Sequence, residues 1–105
     1  MVFRVRYSER AAEDLTDIIS YMSDELCSPQ AAERFYNAVD EKLGLLRERP
    51  YMFPLYHDEK LNAQGVRFIV IGNYLLFYIV DGDNKAVDIA RILYERRDIP
   101  SVFEE

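Results

Sequence analysis

The sequence predicts an α+β fold: an N-terminal strand, an antiparallel two-helix hairpin and then a three-stranded antiparallel meander, forming one sheet with the helices on one face. Apolar residues recur at spacings of three and four over residues 9–49, which is typical of helices with one buried face. After residue 65, three segments rich in β-branched and aromatic residues are separated by short turn sequences. No repeat or low-complexity tract interrupts the chain, so we predict that residues 1–105 form one domain.

The first predicted strand is VFRVRYS, residues 2–8, and it leads directly into the first helix. Ser8 is a typical N-cap, and Glu9 adds negative charge to the first helical turn, where the helix dipole favours it. We place this helix at about 9–26. Its predicted buried face is formed by Ala11, Leu15, Ile18, Ile19, Met22 and Leu26.

The sequence CSPQ, residues 27–30, separates the first helix from a second one. Ser28 is a candidate cap, and Pro29 suits the first helical position because it has no N–H to leave unsatisfied. The second helix is predicted to continue to about Arg49, because Pro50 restricts the residue before it. Two helices joined by two or three residues pack as an antiparallel hairpin. The predicted buried face of the second helix is formed by Ala32, Phe35, Val39, Leu43 and Leu46.

Residues 50–65 are predicted to form a loop, because they contain two prolines and a glycine and show no sustained period. Its apolar residues Tyr51, Met52, Phe53, Leu55 and Tyr56 are expected to pack on the core. The three strands are predicted in VRFIVIG (66–72), YLLFYIV (74–80) and KAVDIARILY (85–94). The central strand is apolar on both faces, which indicates that both faces are covered. The N-terminal strand is expected at an edge of this sheet.

The net charge of −6, from 13 basic and 19 acidic residues, argues against a protein that binds nucleic acid through its overall field. The single cysteine excludes an internal disulfide, and the paired-cysteine and glycine-rich motifs of metal and nucleotide sites are missing. We therefore predict no metal and no cofactor. No apolar run approaches the roughly 20 residues of a membrane span, so we expect a cytoplasmic protein without membrane contact.

Two arginines lie within predicted strands and are candidate site residues. An arginine among apolar neighbours either has a structural role, in a salt bridge to a helix carboxylate or at an edge position, or lines a pocket that holds a phosphate or carboxylate in bidentate fashion. Strand alternation places Arg67 on a face with Ile69 and Ile71, and Arg91 on a face with Val87, Ile89 and Leu93.

Further polar side chains follow the last strand. Tyr94 is either a phenol at the mouth of an anion pocket or an ordinary interfacial tyrosine, and Glu95 is a candidate base or a surface partner of Arg96 and Arg97. His57 lies in the predicted loop without a nucleophile at an evident spacing, which argues against a catalytic role. Cys27 is interpreted as a small packing residue.

Three stretches carry a family resemblance: SERAAEDL (8–15), GVRFIVIGNYLLFYIVDGD (65–83) and RILYERRD (91–98). Together with the order of elements over residues 3–98, they make the chain resemble the RelE/ParE superfamily of toxins from bacterial type II toxin-antitoxin modules. The resemblance implies a compact sheet with two helices on one face and a working surface on the opposite, concave face. It also implies a small cognate antitoxin that wraps and neutralises the toxin. The resemblance further implies that the complex binds operator DNA only through the antitoxin.

The superfamily contains two kinds of toxin, and the resemblance implies different roles in each. RelE-like members cut mRNA on the ribosome, and by position Arg67, Arg91 and Tyr94 are then the candidate catalytic residues. ParE-like members poison DNA gyrase. In either case Arg96 and Arg97 are candidate binding residues, for the target or for acidic groups of the antitoxin; the alternative is that they only pair with the carboxylates of Glu95 and Asp98. The long hairpin, the lack of basic charge and the incomplete acid-base set favour a gyrase-directed toxin. The alternatives are a ribosome-dependent endoribonuclease and an inactive member with a regulatory role.

Overall fold

Two long helices lie across one face of a four-stranded sheet in the computed structural model, which describes residues 2–104. The sheet order is β1-β4-β3-β2; β2, β3 and β4 form the predicted antiparallel meander, and β1 lies at the edge, parallel to β4. Among the described residues, no helix has both the length and the apolar character needed to cross a membrane. In chain order the elements are β1 (Arg4–Tyr7), α1 (Glu9–Ser20), α2 (Pro29–Glu48), α3 (Glu59–Ala63), β2 (Arg67–Ile71), β3 (Tyr74–Asp81), β4 (Ala86–Tyr94) and α4 (Ile99–Phe103).

Both long helices begin where the sequence predicts. The Ser8 hydroxyl accepts a hydrogen bond from the Ala11 N–H at 3.0 Å, and the Ser28 hydroxyl accepts one from the Ala31 N–H at 3.3 Å. Each cap satisfies one backbone donor that the first helical turn leaves without a partner. Ser8 and Ser28 therefore fix the starts of α1 and α2.

The last turn of the first helix differs from the prediction. α1 ends at Ser20, and residues Tyr21–Glu25 form a π-helical turn in which the Leu26 N–H donates to the Tyr21 carbonyl at 3.0 Å. Cys27 then adopts a left-handed conformation with φ of 50° and ends the segment. Since the widened turn rotates the following side chains away from the helical stripe, Leu26 is exposed, whereas the sequence predicted it to be buried.

The core between the hairpin and the sheet contains the predicted helical stripes. Leu76, Tyr78 and Ile89 pack from the sheet against the helices. The buried helical residues in this cluster are Ala11, Ile18, Phe35, Val39, Leu43 and Leu46. The hairpin-side half of the predicted core is therefore confirmed.

The opposite face of the sheet is covered by two short helices that the sequence did not predict. Leu61 of α3 and Ile99 and Val102 of α4 pack with Leu75, Phe77 and Leu93, and they bury β3 on its second face. The loop predicted at 50–65 thus contains a helix, which Asp58 caps by accepting from the Leu61 N–H at 3.1 Å. Each short helix has only five residues, which is too few to show a helical period.

The beginning of the 50–65 segment is held by one buried tyrosine. The Tyr78 side chain is fully buried and its hydroxyl donates to the Pro50 carbonyl at 2.9 Å. Burial raises the pKa of this phenol to about 12. Tyr56 is buried and Phe53 is half-buried, as predicted, whereas Tyr51 and Met52 are exposed.

We expect Tyr78→Phe to lower the free energy of unfolding by about 1–2 kcal/mol, because the buried Pro50 carbonyl loses its donor. Urea denaturation followed by circular dichroism measures the change. Tyr36→Phe, which removes the same atom from an exposed side chain, is the matched control and should leave stability unchanged. Equal effects of the two substitutions would contradict the role given to the hydrogen bond.

The pKa of Tyr78 also predicts a pH dependence. Because the folded-state pKa of about 12 lies above the ordinary value of 10.0, burial of the neutral phenol stabilises the fold below about pH 10, and this contribution is lost as pH rises through 12. Ultraviolet titration of phenolate should show a late ionisation that is absent from Tyr78→Phe. An unchanged titration curve in this variant would show that the late ionisation belongs to another tyrosine.

Candidate functional site

Arg91 and Asp14 form a nearly buried, bidentate ion pair. Arg91 Nε donates to Asp14 Oδ2 at 2.8 Å and a terminal guanidinium nitrogen donates to Oδ1 at 3.1 Å. The two side chains are only 11% and 15% exposed. This is the first of the two alternatives that the sequence left open for Arg91, a salt bridge to a helix carboxylate.

The same carboxylate completes the edge of β4 where β1 ends. β1 pairs with β4 only as far as Tyr7 opposite Ile89. Beyond that point the Ser8 hydroxyl donates to the Ala90 carbonyl at 2.9 Å, and Asp14 Oδ2 accepts from the Ile92 N–H at 3.0 Å. The start of α1 therefore supplies hydrogen bonds that a longer β1 would have supplied.

A β-bulge changes the face on which Arg91 lies. Phe77 of β3 is opposite Arg91, but the next residue, Tyr78, is opposite Ile89, so Ala90 is the extra residue. Ile89 therefore packs on the hairpin side of the sheet while Leu93 packs on the other side. The expectation that Arg91 shares one face with Val87, Ile89 and Leu93 is wrong, because strict alternation does not continue through a bulge.

Arg67 lies on the hairpin side of the sheet, on the face with Ile69 and Ile71, as predicted. Its guanidinium donates to the Phe53 carbonyl at 2.6 Å and to the Tyr51 carbonyl at 3.4 Å, and it lies 5.2 Å from the centroid of the Tyr51 ring. These contacts hold the segment between α2 and α3 against the start of β2. Arg67 has an evident structural role.

Tyr94 lies at the other end of the sheet and is 40% exposed. Its ring meets the Tyr74 ring edge to face, with 5.8 Å between centroids. Burial, and to a smaller extent the neighbouring Tyr21 and Tyr94, raises the pKa of Tyr74. The rings lie beside a groove of about 600 Å³, which we call the tyrosine groove; it is lined by Tyr21, Met22, Leu26, Asn73, Tyr74 and Tyr94.

Arg96 and Arg97 lie in the exposed turn that follows β4. The Arg97 N–H donates to the Tyr94 carbonyl at 3.1 Å, which closes the turn. Among residues 2–104, neither guanidinium has an ion-pair partner or a side-chain hydrogen bond. The surface ion pairs considered for these arginines with Glu95 are not formed.

The three candidate catalytic residues do not converge. Tyr94 is opposite Tyr74 while Arg67 is opposite Tyr78, which separates them by four positions along β3, or about 13 Å. Arg91 lies two strands away from β2, about 10 Å across the sheet, and on the opposite face from Arg67. A single phosphate-sized site cannot be reached by all three side chains in this arrangement.

The remaining candidates are peripheral. His57 is exposed and its ring packs on Tyr56, with 4.3 Å between centroids. Cys27 is exposed, so its interpretation as a packing residue is wrong, because the left-handed turn directs it away from the hairpin. Within residues 2–104, no cluster of three His, Cys, Asp or Glu side chains could hold a metal ion.

Sequence reasoning missed Asp14 and Tyr21. Asp14 occupies the position between Ala11 and Ile18 where the apolar stripe has room for one more inward residue, and a charge there is a signal for a buried partner. Tyr21 was not recognised because it lies beside Tyr74 and Tyr94 only in the folded chain.

The chain has clear relatives in family and in fold. The family model of the ParE toxin of type II toxin-antitoxin systems, parDE, matches residues 5–99. No curated protein matches the chain. Among solved structures, the chromosomal ParDE toxin-antitoxin system of P. aeruginosa is similar with a TM-score of 0.68 at 20% identity, over 89% of this chain and 96% of that one.

Two further structures share the fold. The RelBE2 complex of Mycobacterium tuberculosis has a TM-score of 0.64 at 22% identity, over 90% of this chain and 99% of that one. The isolated RelE toxin of E. coli has a TM-score of 0.61 at 17% identity, over 97% of this chain and 95% of that one. At these identities the likeness shows the architecture, which agrees with the predicted strand, hairpin and meander.

We expect Asp14→Ala to lower the free energy of unfolding by about 2–3 kcal/mol, because it removes the partner of Arg91 and leaves the Ile92 N–H unsatisfied. Asp17→Ala is the matched control: it removes an exposed carboxylate from the next turn of α1 and should change stability by less than about 0.5 kcal/mol.

Urea denaturation of Asp14→Ala, of Arg91→Ala and of the double variant measures the interaction energy between Asp14 and Arg91. We expect the two single effects to be non-additive, since each substitution removes the same contact. Simple additivity would show that Asp14 and Arg91 stabilise the fold independently.

Proposed function

Because the chain belongs to the ParE toxin family of type II toxin-antitoxin systems, we propose that it inhibits bacterial growth by binding DNA gyrase and that a cognate antitoxin neutralises it. Catalysis is not part of this proposal. The toxin acts by occupying its target.

The separation of Arg67, Arg91 and Tyr94 is the observation that carries the proposal. Cleavage of RNA through its 2′-hydroxyl needs a base, an acid and cations around one phosphate. Here Arg91 is paired with Asp14 and Arg67 is bonded to backbone carbonyls, and the two arginines lie two strands apart on different faces of the sheet. A protein that only binds its target does not need these groups to converge.

The exposed end of the sheet supplies a suitable binding surface. Tyr94 is partly exposed, and Arg96 and Arg97 lie beside it without ion-pair partners among the described residues. Tyrosine and arginine are the residue types that most often dominate binding energy at protein interfaces. We assign these three residues to target binding.

The charge of the chain supports a protein target. A net charge of −6 opposes approach to ribosomal RNA, whereas a few exposed arginines can still pair with carboxylates on a protein. The alternative, a ribosome-dependent mRNA interferase with catalytic Arg67, Arg91 and Tyr94, requires these side chains to leave their present partners. An inactive member with a regulatory role is the third possibility, and the growth assay below separates it from the two toxic functions.

We expect induction of the chain in a bacterium without its antitoxin to stop growth, with gyrase-linked DNA breaks and an SOS response, and without new 5′ ends in mRNA. New mRNA ends without DNA breaks would favour the nuclease. Normal growth with neither signal would contradict both toxic functions.

Purified protein gives the second test of this function. We expect Tyr94→Ala, and separately the double variant Arg96→Ala/Arg97→Ala, to weaken inhibition of gyrase supercoiling by about tenfold or more. Arg34→Ala/Arg49→Ala removes the same charge from exposed arginines elsewhere and should inhibit as the wild type does. Equal inhibition by all four proteins would place the gyrase contact on another surface.

A further inference from the structure

The tyrosine groove is an exposed apolar surface at the tip of the helix hairpin. Three of its large side chains are substantially exposed: Tyr21 at 48%, Leu26 at 54% and Tyr94 at 40%. Single exposed apolar residues are common on protein surfaces, but several gathered in one groove usually mark an interaction site.

The backbone around the groove creates this exposure. The π-helical turn Tyr21–Glu25 replaces the last α-helical turn, and Leu26 follows it with its N–H bonded to the Tyr21 carbonyl. A regular helix would have continued the buried stripe to Leu26, as the sequence predicted. Such π-helical turns are frequent at functional sites.

The charges beside the groove have opposite signs on its two sides. Asp24 and Glu25 are exposed in the π-helical turn, on the Tyr21 and Leu26 side. Arg96 and Arg97 are exposed in the turn after Tyr94. None of these four side chains has an ion-pair partner among the residues that the structure describes.

The other charged side chains near the groove leave one side acidic and the other side basic. Asp17 lines a smaller cavity together with Arg97, without an ion pair between them. Asp98 accepts a hydrogen bond from the Ser101 hydroxyl at 2.9 Å and is thereby directed toward α4. Glu95 alone opposes Arg96 and Arg97 in their own turn.

From this pattern we propose that the tyrosine groove is the interface of a symmetric homodimer. A two-fold axis brings a surface against its own copy in the reverse direction. The arginines of one copy then face Asp24 and Glu25 of the other, and the apolar centres of the two grooves pack together. A second copy of this chain supplies both the apolar surface and the opposite charges that the groove lacks.

The dimer goes beyond the proposed function and does not depend on it. Because it covers Tyr94, Arg96 and Arg97, it competes with target binding at the same surface. The groove is small, so the dimer belongs to the weak, concentration-dependent class of interfaces.

Sedimentation velocity of the full chain tests the proposal over protein concentrations from about 1 µM to about 1 mM. A reducing agent is present, so that a disulfide between the exposed Cys27 of two copies does not contribute. The mass should rise with concentration from that of the 12.4 kDa chain toward twice that value. A monomer at every concentration would overturn the proposal.

Charge reversal gives the sharper test. Arg96→Glu/Arg97→Glu makes both sides of the groove acidic, and Asp24→Lys/Glu25→Lys makes both sides basic, so each variant alone should remain monomeric. An equimolar mixture restores two complementary contacts and should dimerise at least as strongly as the wild type. Dimerisation of either variant alone, or a monomeric mixture, would overturn the proposal.

Two controls separate the interface from general effects of charge and folding. Arg34→Glu/Arg49→Glu changes the net charge as Arg96→Glu/Arg97→Glu does, at exposed sites outside the groove, and should dimerise as the wild type does. Leu26→Ser tests the apolar centre without a charge change and should weaken the dimer at least tenfold. Circular dichroism confirms that each variant is folded, and wild-type dimerisation of Leu26→Ser would contradict the assigned interface.

Discussion

The carboxylate of Asp14 holds the last residues of β4 in place, because it accepts hydrogen bonds from Arg91 and from the Ile92 N–H. β1 is four residues long and β4 is nine, so more than half of the outer edge of β4 would be without a strand partner. Ser8 and Asp14 provide hydrogen bonds there, and Arg91 neutralises the carboxylate from the strand itself. Since β4 ends at Tyr94, this arrangement also positions the turn that carries Arg96 and Arg97.

Contacts within the protein also explain why Arg67 and Arg91 do not form an anion site. Arg91 links β4 to α1 through Asp14, and Arg67 links β2 to the segment before α3 through the Phe53 carbonyl. Both are arginines whose planar guanidinium is used for bidentate or paired contacts within the protein. An aromatic pair and two exposed arginines lie beside the tyrosine groove, at the end of the sheet where β4 ends.

The face of the sheet opposite the helix hairpin is covered by the two short helices. The family resemblance implies an open concave face opposite the helices, but α3 and α4 cover Leu75, Phe77 and Leu93 there. Arg67 and Tyr94 both belong to rows that face the hairpin, since their cross-strand partners Tyr78 and Tyr74 pack on that side. The candidate binding residues therefore lie at an end of the sheet and not in the middle of its second face.

The sequence by itself determined the strand, the hairpin and the meander, because caps, prolines and hydrophobic period are local signals that remain valid wherever the segments pack. Ser8, Ser28 and Pro50 mark helix ends that the structure reproduces within one residue. Only the tertiary structure decided the parallel pairing of β1, the bulge at Ala90, the π-helical turn and the partners of Arg67 and Arg91. Apart from the π-helical turn, whose hydrogen bonds are local, these features arise from contacts between residues far apart in the chain, such as Asp14 with Arg91. A local pattern cannot specify which distant group a buried charge will meet.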